Sequence, residues 1–145
     1  MREESSDPGT ASRLPLLGLV VGVWAVIPPY VDTFGALNVE ARVEFADHVV
    51  PGVLVLAVSV LGLVLLRSAR PQPTLLLLGG GAIALAGLWM VATHLPLIGQ
   101  ARNEIVPGGA VVWHGLPGLA VSLLGAAWTV RYWESDTAEE PSSGR

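Results

Sequence analysis

Residues 22–30 read Gly22-Val23-Trp24-Ala25-Val26-Ile27-Pro28-Pro29-Tyr30. This stretch closes an apolar run with two prolines, which cannot continue a helical hydrogen-bond ladder. The pattern predicts an apolar helix that ends near Ile27, with Tyr30 at a membrane–water interface, where aromatic rings are enriched. A looser version follows 65 residues later as Gly87-Leu88-Trp89-Met90-Val91-Ala92-Thr93-His94-Leu95-Pro96.

Charged residues are absent from four apolar segments, at 14–31, 49–66, 74–96 and 115–130. The 145 residues are 52% hydrophobic and 14% charged, whereas a soluble domain carries about 25% charged residues. An apolar run of about 20 residues is long enough to cross about 30 Å of hydrocarbon. We therefore predict an all-α membrane protein with four transmembrane helices, in contact with the lipid bilayer.

The arginines predict the orientation of the chain. Six lie at the termini and in the linker at 67–73, namely Arg2, Arg13, Arg67, Arg70, Arg131 and Arg145. The other two, Arg42 and Arg102, lie in the loops that are expected on the opposite side. Positive residues favour the cytoplasmic side. We expect a multi-pass protein of the cell membrane with both termini in the cytoplasm.

The chain divides into two similar units and three polar segments. We expect a disordered tail at 1–13, a first unit at 14–66, a cytoplasmic hinge at 67–73, a second unit at 74–133 and an acidic cytoplasmic tail at 134–145. Each unit consists of a helix, an outer loop and a second helix. The first loop reads as a short surface helix around 39–47, and the second loop is expected to run from Pro96 to about Val112.

The two units match each other at several positions. Trp24 corresponds to Trp89 at an offset of 65, and His48-x-x-Pro51-Gly52 corresponds to His114-x-x-Pro117-Gly118 at an offset of 66. An internal repeat of this kind indicates two tandem helical hairpins arranged in parallel.

The repeat resembles the unit of the SPW-repeat family of small membrane proteins, in which Gly-Leu-Trp is followed by Ser-Pro-Trp, a loop and a second apolar helix. Here Gly22-Val23-Trp24 and Pro28-Pro29-Tyr30 stand in the first copy, and Gly87-Leu88-Trp89 and Thr93-His94-Leu95 in the second. The resemblance implies a four-span membrane protein and brings no known chemistry.

Three histidines are the candidate ligands, and the predicted topology puts His48, His94 and His114 near the outer ends of their helices. His48 and His114 could bind a haem iron axially, and all three could hold copper or zinc. Glu44, Asp47 and Glu104 are candidate partners of the imidazoles. The alternative is that the histidines cap helix starts or lie among lipid headgroups, so that the chain has no cofactor and no metal.

Small residues form ridges on two predicted helices. Gly18 and Gly22 share one ridge, and Gly118, Ser122 and Ala126 share another. Such ridges let helices approach closely, within the bundle or in self-association. The five tryptophans are expected to act mostly as interfacial anchors.

Several function classes find no support in the sequence. The chain has no cysteine, no lysine and no charge within a predicted span, which argues against thiol chemistry, a polybasic nucleic-acid patch and a proton relay. No catalytic motif is present. We predict a non-enzymatic structural or accessory protein with other membrane subunits as partners. The alternative is a redox bundle that binds haem or metal through the outer histidines.

Overall fold

The computed structural model describes residues 13–27, 45–68, 72–106 and 108–138, and the regular structure within these ranges is entirely helical. The helices are α1 (Arg13–Val26), α2 (Val50–Arg67), α3 (Pro73–Arg102) and α4 (Gly108–Ala138), and a π-helical turn, Phe45–Val49, leads into α2. The predicted all-α class with four apolar helices is confirmed.

Three helical stretches are long and apolar enough to cross a membrane: Phe45–Arg67, Pro73–Arg102 and Val111–Glu134. Helix α1 has 14 residues, which corresponds to about 21 Å at 1.5 Å per residue and falls short of about 30 Å of hydrocarbon. It ends beside Ile27, as the following prolines predict. The expected N-terminal tail and most of the expected surface helix at 39–47 lie outside the described residues.

The predicted second outer loop, from Pro96 to Val112, is wrong. Helix α3 continues through Pro96 to Arg102, and α4 begins at Gly108. A proline in a helix loses one backbone hydrogen bond, at a cost of about 3 kcal/mol. Unwinding the last turns near the membrane would leave several backbone groups unpaired, so the longer helix is favoured. Helix α4 likewise passes the predicted boundary at 133 and ends at Ala138.

A tight backbone closure ends α3. The N–H of Ile105 donates to the carbonyl of Gln100 at 2.9 Å, and the N–H of Glu104 donates to the carbonyl of Ala101 at 3.1 Å. Glu104 lies in the left-handed region with φ 57°, at a position that glycine usually occupies. The closure uses carbonyls that the helix itself leaves free.

The core lies along one stripe of each helix. Its fully or nearly buried apolar members are Ala25, Val55, Leu76, Ile83, Met90, Val121, Leu124, Trp128 and Tyr132. Trp128 is completely buried and its ring packs against Gly62 and Gly80, so it is a core residue and the interfacial role expected of the tryptophans is wrong for it. Its spacing from Leu124 and Tyr132 puts all three on one helical face.

Glycines allow close contact between paired helices. Between α3 and α4, Gly87 faces Ser122 and Gly118 faces Met90; between α1 and α2, Gly18 faces Ser59 and Gly22 faces Leu56. Gly18, Gly22, Gly118 and Ser122 of the predicted ridges are therefore used for packing inside the chain, whereas Ala126 is exposed. Self-association through Gly18, Gly22, Gly118 and Ser122 is untested and stays a prediction.

Candidate metal centre

The three histidines come from three different helical segments and meet at one end of the bundle. His48 lies in the π-helical turn before α2, His94 lies in the third quarter of α3, and His114 lies in the second turn of α4. His48 and His114 are 1% and 6% exposed, and His94 is partly buried. Burial of three imidazoles among apolar helices is costly unless their polar atoms find partners.

Three ring nitrogens, one from each histidine, converge. His48 Nε2 lies 3.0 Å from His94 Nε2 and 3.2 Å from His114 Nδ1. The possible ligand atoms of the three residues lie within 4.8 Å of one another. The His48 ring stands edge-on to the other two, at centroid distances of 4.7 and 5.2 Å, and these two are stacked 5.9 Å apart.

The backbone of α3 fixes the tautomer of His94. Its Nδ1 lies 2.6 Å from the carbonyl oxygen of Met90, which can only accept, so Nδ1 carries the proton. The Nε2 of neutral His94 therefore presents its lone pair to His48. The hydroxyl of Thr93 donates to the same carbonyl at 3.1 Å and lies 3.1 Å from His94 Nδ1. Contacts of this kind orient histidines that ligate metals.

Hydrogen bonds alone satisfy the cluster poorly. One proton on His48 Nε2 would have to serve two neighbouring nitrogens, and if that proton is on Nδ1, two lone pairs face each other at 3.0 Å. His48 Nδ1 is buried without a full hydrogen bond, although the backbone of Ala25 interacts with this ring. A cation among the three nitrogens removes the conflict, because it accepts all three lone pairs.

The nitrogen separations fit a single tetrahedral ion. With metal–nitrogen bonds of about 2.0–2.1 Å, two ligand nitrogens lie about 3.3 Å apart. The two shorter separations, 3.0 and 3.2 Å, are close to this value. The third nitrogen pair lies within 4.8 Å and needs a shift of about 1.5 Å at most to reach it. Three nitrogens leave one position of the tetrahedron open.

The same geometry does not fit a haem. Axial ligands lie on opposite faces of the macrocycle, with their nitrogens about 4 Å apart and the porphyrin between them. Here the rings of His48 and His114 contact each other directly, at 3.2 Å. The haem alternative, which named these two residues as axial ligands, has no room in this arrangement.

Of the carboxylates expected beside the histidines, Asp47 and Glu104 are not part of the cluster. Among the described residues the group of candidate ligands contains the three histidines alone. Glu104 lies exposed in the turn after α3, ten residues beyond His94. Glu44 lies outside the described residues. The orienting groups are instead the carbonyl of Met90 and the hydroxyl of Thr93, which the sequence pattern did not indicate.

An apolar groove adjoins the cluster between α3 and α4. It has a volume of about 320 Å³ and its walls are formed by Val91, His94, Leu95, Ile98, Val111, Val112, Gly115, Leu116 and Leu119. Of the three histidines, His94 lines this groove. The outer walls of the groove are exposed side chains such as Leu95 and Val112. The groove therefore connects the partly buried histidine with the surface of the bundle.

Comparisons with known proteins give no family for this chain. No family model, no curated protein and no solved structure matches it.

Proposed function

We propose that this chain is an integral membrane protein that binds one transition-metal ion through His48, His94 and His114. The observation that carries the proposal is the convergence of three imidazole nitrogens. His48 Nε2 lies 3.0 Å from His94 Nε2 and 3.2 Å from His114 Nδ1. The tautomer of His94 supports it, because its hydrogen bond to Met90 leaves Nε2 free as a ligand.

The internal repeat explains how two of the ligands meet. His48 and His114 are repeat equivalents, 66 residues apart, and Gly52 and Gly118, which follow them, pack on the backbone of Val26 and Val91. We propose two tandem hairpins related by a pseudo-twofold axis, with the uncharged segment 14–31, which contains most of α1, as the fourth membrane span and both termini in the cytoplasm. Membership of the SPW-repeat family belongs to the same proposal. His94 has no histidine counterpart, since Pro28 or Pro29 stands at the equivalent position, and it turns a symmetric pair into a three-ligand site.

The donor set favours ions that bind imidazole. Zinc and copper accept neutral histidine ligands readily, whereas magnesium and calcium require oxygen donors. The chain has no cysteine to offer a thiolate. We therefore expect Zn²⁺, Co²⁺ as its spectroscopic substitute, and copper to bind, and Mg²⁺ and Ca²⁺ not to bind.

The proposal is tested by metal titration of the purified chain in detergent. After removal of metal, equilibrium dialysis against Zn²⁺ or Co²⁺ should give one ion per chain. His48→Ala and His114→Ala should each abolish binding, and Glu104→Gln, which changes an exposed carboxylate outside the cluster, should bind as the wild type does. Absence of binding in the wild type, or unchanged binding in both histidine variants, would refute the proposal.

A structural or accessory role without metal is the second candidate. It is favoured by the outward-facing side chains of the helices, among which Val20, Leu85 and Leu123 are 69%, 69% and 63% exposed. Such surfaces suit lipid or another membrane subunit. A metal-free preparation that copurifies with one stoichiometric membrane protein, and whose association is unaffected by His114→Ala, would favour this candidate.

A further inference from the structure

The groove between α3 and α4 gives the proposed metal site an approach from the bilayer. Its walls come from the outer parts of both helices, and Leu95, Ile98, Val112, Leu116 and Leu119 are 43–55% exposed on the outside of the bundle. With α3 and α4 in the proposed membrane position, for which they are long and apolar enough, the mouth of the groove faces lipid. A molecule that enters here comes from the membrane.

The chemistry of the walls restricts that molecule. Apart from His94 the lining consists of aliphatic side chains and Gly115. A charged ligand would lose its hydration without gaining a partner in these walls. A neutral, mainly apolar molecule with one polar oxygen matches walls in which the His94 imidazole is the one polar side chain.

The size of the groove indicates a small ring rather than a large cofactor. A volume of about 320 Å³ lies at the lower end of the range for small-molecule pockets, about 300–1,000 Å³. Gly115 contributes open space there, since a Cβ added to it would meet no atom within 4 Å. A single six-membered ring fits a site of this kind, with any alkyl chain extending into lipid.

From these observations we infer that a bilayer-dissolved phenol or quinol enters this groove and that its hydroxyl oxygen occupies the open fourth position of the ion held by the three histidines. The inference rests on the proposed metal site. The oxygen binds through a lone pair while the ring contacts the aliphatic walls, so the groove selects the ligand and the ion anchors it. His94 links the two, because it is both a ligand of the ion and a wall of the groove.

The test uses the full chain in lipid nanodiscs, loaded with Co²⁺, whose visible absorption responds to a change of ligand. The probe is 4-heptylphenol, and its methyl ether, 4-heptylanisole, is the matched control with the hydroxyl blocked. The phenol should shift the Co²⁺ bands in a saturable manner and the ether should not. Gly115→Phe should retain Co²⁺ and weaken the response to the phenol by about tenfold or more, because the added ring occupies the volume that the ligand needs.

Gly81→Phe is the control variant. A Cβ at Gly81 also meets no atom within 4 Å, and Gly81 is not among the residues that line the groove, so it should respond as the wild type does. If Co²⁺ binds but the phenol changes nothing, if phenol and ether act alike, or if only water-soluble azide shifts the bands, the inference is wrong and the metal site stands. Failure of the wild type to bind Co²⁺ would overturn both the metal site and the ligand inferred to bind there.

Discussion

Gly87→Ala tests whether α3 and α4 are in contact at the glycine that carries their packing. A Cβ at Gly87 would lie 2.7 Å from the Cα of Ser122 and nearer still to its backbone nitrogen. Non-bonded carbons prefer about 3.5–4.0 Å, so the helices must separate by about 1 Å. Rotation of the Ser122 side chain can move its Oγ, but it cannot relieve the contact with the backbone nitrogen and the Cα of Ser122.

The magnitude follows from two opposing effects. Overpacking of this kind costs about 1–3 kcal/mol, and replacement of glycine by alanine within a helix gains about 1 kcal/mol. Gly81→Ala isolates the second effect, because Gly81 lies on the same helix in open space. The free energy of unfolding of Gly87→Ala should therefore fall below that of Gly81→Ala by about 1–3 kcal/mol.

Unfolding by sodium dodecyl sulfate in mixed micelles, followed by circular dichroism, measures this difference. Gly87→Ala should also weaken metal binding, since the separation moves the helix that carries His94 away from the helix that carries His114. Equal stability of the two alanine variants would show that α3 and α4 do not meet at Gly87. The close approach of His94 and His114, which depends on that contact, would then be wrong as well.

Three further variants test particular contacts. Ser59→Ala removes a fully buried hydroxyl without a partner and should stabilise the fold by about 1 kcal/mol. Ser122→Ala loses a 2.9 Å hydrogen bond to a backbone carbonyl and should not stabilise the fold. Equal changes of the free energy of unfolding in detergent for the two variants would contradict this. Glu104→Gly relieves the left-handed backbone at the end of α3 and should raise the free energy of unfolding by about 1 kcal/mol, whereas Glu104→Ala should not raise it. Thr93→Val removes a hydroxyl beside His94 Nδ1 and should weaken Zn²⁺ binding by about tenfold at constant stoichiometry; unchanged affinity in a competition titration would show that this hydroxyl does not orient the ring.

Much of the fold is readable from the sequence, because charged residues are absent from the four apolar segments and the prolines Pro28 and Pro29 predict the end of the first helix. Helix ends are less readable at Pro96, where the cost of one lost hydrogen bond competes with the cost of unwinding a helix near lipid. The sequence cannot show this competition, since it depends on what surrounds the last turns.

The candidate site could be predicted in composition but not in geometry. The offset of 66 between His48 and His114 predicts that they lie at equivalent depths, and the second version of the opening stretch, at 87–96, contains His94. Whether their side chains meet depends on the rotation of each helix, and that rotation is set by close contacts such as Gly118 against Met90. The burial of Trp128 has the same origin, since its ring fills the space that Gly62 and Gly80 leave.

X-ray absorption of the Zn²⁺-loaded chain counts and identifies the atoms around the ion, and it therefore decides whether three histidines hold that ion. We predict three imidazole nitrogens at about 2.0–2.1 Å and one further light atom, with the imidazole contribution reduced in His94→Ala. A shell of oxygen atoms without imidazole scattering, or a spectrum unchanged by His94→Ala, would show that the three histidines do not hold the ion.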